Sequence, residues 1–394
     1  MLRRFHNTFN PIISAIFAGN GIVVKTSEHV AWSLPYWRDI IQHCLRAHGH
    51  DPELVQLVCG FAETGEAVIR SGVDKVTFIG QVLSPAVGRL VMRTASDALV
   101  PCVLELGGKD CAIIRADANV QQALQLLLRG VYQNCGQNCI GIERIIVHRA
   151  IYSKFVDMML EQVDKLRVGA PLDEGGDDVD CGAMTMGVEH SPVPAMISEA
   201  VEQGARLLAG GTRHQSAAYP HGQYMAPTLL VDVTAEMRVA REELFAPVML
   251  LMPCESDEDA LRIANASPYG LGSSIFTRDI AQGHRMARQL RVGMCNINDF
   301  AVNYLCQSLP FGGVGESGFD RFGGVEGLRG NCLVRAMTVD RAPGLVQTSI
   351  PAILQYPTRG AVKSAAFCMH LIRMIYATSW LAKVAAALSL AKQA

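Results

Sequence analysis

At 394 residues with 49% hydrophobic content, the chain is long enough to bury two substantial cores and needs neither disulfides nor a structural metal for stability. A formal net charge of −2, with 35 basic and 37 acidic residues interspersed, leaves no electrostatic footprint for a nucleic-acid partner. Twelve scattered cysteines without paired short spacings read as reduced thiols, which favours a reducing compartment and argues against a zinc site.

The opening Met1-Leu2-Arg3-Arg4, followed by the apolar run from Pro11 to Ala18, imitates a secretory signal, but His6, Asn7 and Asn10 interrupt it and the signal reading is set aside. Ile22 to Lys25 reads as a strand, His29 to Ala47 as a helix, Val55 to Cys59 and Val76 to Gly80 as strands, Val87 to Ala95 as a helix and Val103-Leu104 as strand. Short apolar runs alternating with helical stretches imply βαβ units and a parallel sheet over residues 1–106. A second alternating region covers residues 107–330, with helix at Val120 to Tyr132, strand at Arg144 to Val147, helix at Ala150 to Leu166 and further units through Ser267 to Thr277. Gly107-Gly108 makes a natural hinge between the two, and a ligand cleft is expected there. Beyond Gly330, Cys332 to Val339 reads as one strand. After Pro357 the tail is helical and apolar from Ala361 to Lys392, with Lys363, Arg373 and Lys383 as its sparse charges. It reads as a helix packed on the body or on a partner, with an interfacial membrane helix as the alternative. No uncharged run is long and apolar enough to span a bilayer.

Three strings carry chemistry. Cys139 sits in Gly136-Gln137-Asn138-Cys139-Ile140-Gly141, and Glu105 lies upstream in Leu104-Glu105-Leu106-Gly107-Gly108-Lys109. A thiolate adds to an electrophilic carbonyl, and a carboxylate activates water against the thioester that follows. Each alone is weak, since an isolated cysteine is more often a buried small hydrophobe and a glutamate after an apolar strand is as often a solvated strand end. Ser84-Pro85 ahead of Ala86-Val87-Gly88 is a sound helix start, with Ser84 as N-cap and Pro85 where no amide is lost. Its exposed amides suit a phosphate, and Gly80 and Gly88 allow close approach.

Together these strings resemble the aldehyde dehydrogenase superfamily, over a stretch from about Phe5 to Arg341. Glu242-Glu243-Leu244-Phe245-Ala246-Pro247-Val248 is similar to that family's Glu-Glu-x-Phe-Gly-Pro-Val segment. Leu309-Pro310-Phe311-Gly312-Gly313-Val314 and Ser317-Gly318-Phe319-Asp320-Arg321 are similar to its Pro-Phe-Gly-Gly and Ser-Gly-x-Gly-Arg stretches. The wording at 5–11, 19–23 and 306–313 is most similar to a plant and fungal branch described as membrane-associated.

The resemblance implies an α/β fold: an incomplete Rossmann-like dinucleotide-binding domain at 1–106, a catalytic domain at 107–330, an oligomerisation strand at 331–341 and a helical tail at 342–394. It implies oxidation of a small-molecule aldehyde to a carboxylic acid, with Cys139 as nucleophile and Glu105 as the base for water. Cys135 is the competing thiol, disfavoured because Gly136-Gln137 precedes Cys139 as the family motif requires. Lys25 and Glu28 match positions that bind the adenosine ribose hydroxyls, and a carboxylate there repels a 2′-phosphate, so NAD is favoured over NADP. Gly80, Ser84, Gly88 and Leu106 join the cofactor group; Glu243 matches the ligand of the nicotinamide ribose, and Phe245 lines the same region. Asn298 falls in a segment resembling the substrate entrance. A homodimer or homotetramer is implied, located in the cytoplasm or on the cytoplasmic face of a membrane, with contact through the C-terminal helix as an option.

Four departures qualify the match. Counting back from Phe5 puts Leu2 where the family has an oxyanion-donating asparagine, and losing such a donor costs about 10²–10³ in rate. Gln81-Val82-Leu83 lengthens the turn between Gly80 and Ser84, and Ala246 and Asp320 replace usual glycines. The first two read as marks of an N-terminally truncated or misassembled gene model. A catalytically silent scaffold of the same fold is the competing reading, while Glu28 and Glu105 argue against an NADPH-dependent acyl-phosphate reductase.

Overall fold

Ile22–Thr26, a β-branched run, pairs in parallel with Val55–Cys59, with Ile22 opposite Val55 and Thr26 opposite Cys59. In this computed structural model the described residues are 2–80, 84–173, 176–185, 187–188, 191–215, 223–342, 344–345, 347–358 and 360–392. The helix expected between these strands is split into a 3-10 helix, Glu28–Ser33, and an α-helix, Leu34–Ala47. Pro35 in the first turn of the second has no amide to donate, and its ring clashes with a helical carbonyl four residues back. The N-terminal run that imitates a signal is part of a helix, Leu2–Phe17, that the sequence pattern does not announce because Pro11 lies inside it. Ile12 is buried on this helix and clusters with Ile41, Leu45 and Val55.

Val76–Ile79 and Cys102–Glu105 pair in parallel, and Gly318–Phe319 adds antiparallel to the free side of Cys102–Glu105. The strands of residues 1–106 therefore alternate with helices as expected, but they divide between a two-stranded and a three-stranded sheet. Helix Ser84–Asp97 extends the predicted Val87 to Ala95 at both ends, and helix Ala62–Arg70 was not among the predicted elements.

The larger sheet has seven strands in the order Asn296–Ile297, Ser273–Phe276, Asp110–Ile114, Ile142–His148, Val248–Cys254, Thr228–Val231 and Arg206–Ala209. All its pairings are parallel except the last, where Arg206–Ala209 runs against Thr228–Val231. Its central strands are buried along nearly their whole length, as a parallel sheet covered on both faces requires. Helices Val120–Tyr132, with the predicted bounds, and Arg149–Val163 contribute Leu124, Leu127, Phe155 and Met159 to this core.

Residues Met1–Leu333 form one compact unit and Val334–Ala394 a second. The strand predicted at Cys332 to Val339 is absent: no described segment pairs with it, and a ladder is what makes a strand. Leu333, Val334, Met337 and Val339 are each at least 82% exposed. In the second unit the tail is two helices rather than one, Ala361–Tyr376 and Trp380–Ala391, which pack on each other around Phe367 and Ala386. Among the described residues no helix is long and apolar enough to cross a membrane.

Candidate active site

Glu105 ends a strand whose neighbour ends at the same level. Gly80 donates its backbone amide to the Glu105 carbonyl at 2.7 Å, and Leu106 donates to the Ser317 carbonyl at 3.1 Å. The chain then turns through Gly107, at φ 84°, and Gly108 into Asp110–Ile114. Gly107 is favoured by its left-handed backbone and Gly108 by close contact. A Cβ on Gly107 would lie 2.5 Å from the Glu243 carboxylate, and one on Gly108 would lie 3.1 Å from the Cys139 carbonyl oxygen. The turn after Glu105 is thus packed directly on the backbone of Cys139.

Cys139 is reached from helix Val120–Tyr132 through a turn in which Asn134, Cys135 and Gly136 all have left-handed φ, at 55°, 57° and 69°. At Gly136 a Cβ would fall 2.0 Å from the Ala246 carbonyl oxygen, so only glycine fits. Cys139 is buried in an apolar cluster with Val103, Ile140, Leu271, Met294, Phe311 and Phe322. Val103 belongs to the strand that ends in Glu105, so one cluster supports both residues. Cys135 is buried apart from it, and a hydrogen bond with Cys181 followed by burial pushes its thiol far above the usual range. A thiol held neutral in this way is a poor nucleophile.

A buried ion pair absent from the sequence expectations fixes the side of the turn that faces Glu243. Lys109, fully buried, pairs with Glu143 on strand Ile142–His148. Glu143 also accepts the backbone amides of Leu244, at 3.0 Å, and Phe245, at 2.9 Å. Burial pushes the Lys109 ammonium below its usual value, with Glu143 opposing. Arg144, next along, donates to the carbonyls of Lys109, Ile263 and Ala264. The clamp aligns the segment bearing Glu243, whose Oε1 accepts the Gly108 amide at 3.2 Å, and Phe245, which is buried at φ 53°. Two adjacent charges inside an apolar strand, Ile142-Glu143-Arg144-Ile145, are the sequence signal that would have found it. Glu143→Ala should lower folding stability by about 3–5 kcal/mol, because it strands a buried ammonium and two amides. A denaturant midpoint equivalent to less than about 1 kcal/mol of loss would show that the pair clamps nothing.

The remaining expected residues are placed as follows. Lys25 and Glu28 approach to 3.8 Å where strand Ile22–Thr26 ends. The Glu28 carboxyl is held below its usual range by its own backbone amide and by Lys25 and His29. Ser84 begins its helix, while Gln81-Val82-Leu83 lies outside the described residues. A Cβ on Gly88 would lie 2.6 Å from a Leu106 methyl, so this helix packs against the residue after Glu105. The Asn298 side chain is held by Thr277: its amide oxygen accepts from the Thr277 backbone at 2.8 Å and its amide nitrogen donates back at 2.7 Å. Asn296 and Phe300 of the same segment instead line a small cavity beside Ile140.

The sequence profile of the aldehyde dehydrogenase family matches residues 5–337. An aldehyde dehydrogenase-like protein of Saccharomyces cerevisiae is 41% identical over 99% of this chain and 61% of its own length. Another, of Schizosaccharomyces pombe, is 41% identical over 96% and 71%. Among solved structures, a Mycobacterium tuberculosis aldehyde dehydrogenase complexed with NAD+ superposes with a TM-score of 0.74 at 34% identity, covering 82% of this chain and 64% of that one. Betaine aldehyde dehydrogenase of Staphylococcus aureus in complex with NAD+ gives 0.71 at 30%, covering 79% and 61%. The chain therefore spans roughly three fifths of the length of most of these relatives, and within that span it has their α/β architecture with a Rossmann-like parallel sheet. By motif, fold and similarity, it belongs to the aldehyde dehydrogenase family.

Proposed function

We propose that this chain oxidises an aldehyde to a carboxylic acid with NAD, using Cys139 as nucleophile and Glu105 as the base for water. The observation that carries the reading is the Gly107-Gly108 turn, which joins Glu105 to the Cys139 backbone on one side and to Glu243 on the other. The Cys139 thiolate bonds to the aldehyde carbon to give a thiohemiacetal, and loss of hydride leaves a thioester. NAD, when bound, accepts that hydride. Glu105 then takes a proton from water as it attacks the thioester, and the acid departs from sulfur.

The residues present suit NAD. An ionised Glu28 accepts from ribose hydroxyls and repels a 2′-phosphate, and helix Ser84–Asp97 has a positive N-terminal end suited to a phosphate. Glu243 and Phe245 would hold the nicotinamide ribose end. Leu2, by contrast, supports the silent-scaffold reading, since leucine cannot donate to an oxyanion and backbone amides such as that of Cys139 would have to serve. Purified protein supplied with NAD and a panel of aldehydes separates the two. Turnover is expected to yield NADH and carboxylate in equal amounts, at least about tenfold faster with NAD than with NADP. Folded protein that gives no NADH with any aldehyde leaves the scaffold standing.

We further propose that residues 1–106 bind the dinucleotide, that 107–330 carry the chemistry and that the exposed apolar segment 331–341 pairs with a second copy in a homodimer or homotetramer. A monomer by light scattering would remove that role. The tail fits the surface of an anionic membrane on its cytoplasmic side. Ile372, Tyr376, Trp380, Leu381 and Leu388 are exposed on its helices, and its charged side chains, Arg359, Lys363, Arg373, Lys383 and Lys392, are all basic. The full chain should therefore sediment with phosphatidylserine-containing vesicles at low salt and be released at high salt. Equal partitioning onto neutral vesicles would argue against it.

A further inference from the structure

Asp110 opens strand Asp110–Ile114 immediately after the Gly107-Gly108-Lys109 turn, and its side chain is buried. One carboxyl oxygen, Oδ1, accepts the Gly272 amide at 3.0 Å. The carboxyl is wedged between two glycines: a Cβ on Gly108 would lie 2.5 Å from Oδ1, and one on Gly272 would lie 2.5 Å from Oδ2. That same Gly108 position is 3.1 Å from the Cys139 carbonyl oxygen and 3.1 Å from Leu271, a member of the Cys139 cluster. Segments 108–110 and 271–272 therefore meet at this side chain, and through Gly108 they reach the Cys139 backbone. A cavity of about 10 Å³ adjoins it, lined in part by Ser273, Ser274, Asn296 and Asn303.

We propose that Asp110 is a positioning residue of the thiol site, pinning Gly272 and the Gly108 turn together so that the Cys139 backbone and the end of the Glu105 strand keep one fixed separation. This rests on the roles given above to Cys139 and Glu105. Its buried setting favours the neutral acid. Burial pushes it well above the usual carboxylate range, the Gly272 hydrogen bond and Arg144 oppose the shift, and Glu143 and Glu105 add to it. Lys109 offers no compensation because it is committed to Glu143, and the Cys111 thiol on the same strand is pushed up to about 11 and stays neutral. A neutral acid keeps the shape and the acceptor that Gly272 needs without placing a second negative charge beside the base that activates water.

Two measurements test this. Asp110→Asn preserves shape and acceptor and cannot ionise, so it should keep both the NADH burst rate and the steady rate within about threefold, whereas Asp110→Ala should lower both by roughly 10- to 100-fold. Asparagine as damaging as alanine, or alanine without effect, overturns the proposal. Should the alanine variant not fold, the second measurement decides: the pH dependence of Cys139 alkylation by iodoacetamide, native protein against Asp110→Asn, without NAD or aldehyde. The midpoints should coincide within about 0.3 unit. A clear downward shift in the asparagine variant would mean that a negative charge had been removed from beside the thiol, and the neutral-acid role would be lost. Because alkylation needs no turnover, this outcome is independent of whether the chain oxidises any aldehyde.

Discussion

Cys139→Ala is expected to abolish aldehyde-dependent NADH formation, a loss of roughly 10⁴-fold or more, because no other group in the site can make the covalent bond from which hydride leaves. The variant should still fold. Alanine keeps the Cβ in the cluster with Val103, Leu271 and Phe311, and removing one buried sulfur costs on the order of 1 kcal/mol. Dinucleotide binding should persist as well, since the residues assigned to it lie on other segments. The thiol that remains nearby, Cys135, is held neutral against Cys181 on the far side of the left-handed turn, so it should not take over. NADH production at the native rate would remove Cys139 from the mechanism and, with it, the thioester.

Glu105→Gln should separate the two halves of the reaction. Glutamine matches the buried side chain in size and leaves the backbone bond from Gly80 and the strand pairing with Gly318 in place. Thiol addition and hydride loss do not require the base, so about one NADH per site should appear in a rapid burst. Attack of water on the thioester does require it, and steady turnover should fall by about 10²–10⁴-fold. The acyl-enzyme should accumulate and be visible as a mass increase on Cys139. A steady rate equal to that of the native protein would leave Glu105 as a structural residue only.

What could be read from sequence follows from the range of each signal. Strands Ile22–Thr26 and Val55–Cys59 and helix Val120–Tyr132 were legible because apolar periodicity is local. Cys139 and Glu105 were singled out through their flanking glycines, of which Gly108 and Gly136 make close backbone contacts in the fold. The division of the first strands into two sheets was not, because partner choice is settled by distant segments such as Gly318–Phe319. The hold of Thr277 on the Asn298 side chain was not legible for a similar reason, since Thr277 lies on a segment 21 residues away, while Asn296 and Phe300 line the small cavity. Lys109, Asp110 and Glu143 stand in sequence as ordinary charges, and only their burial, Lys109 against Glu143 and Asp110 against Gly272, gives them meaning. The run Cys332 to Val339 is not a strand in the single chain, because an apolar β-prone run becomes one only when another edge meets it.

The antiparallel addition of Gly318–Phe319 to Cys102–Glu105 imposes an order on biosynthesis. The strand bearing Glu105 leaves the ribosome early, yet the hydrogen bonds that complete its outer side, including Leu106 to Ser317, come from a stretch translated much later. Until then its edge is open to pairing with any other nascent chain, and closing so long a loop is slow. A premature stop before Ser317 would thus leave an adhesive, aggregation-prone intermediate rather than a smaller working enzyme.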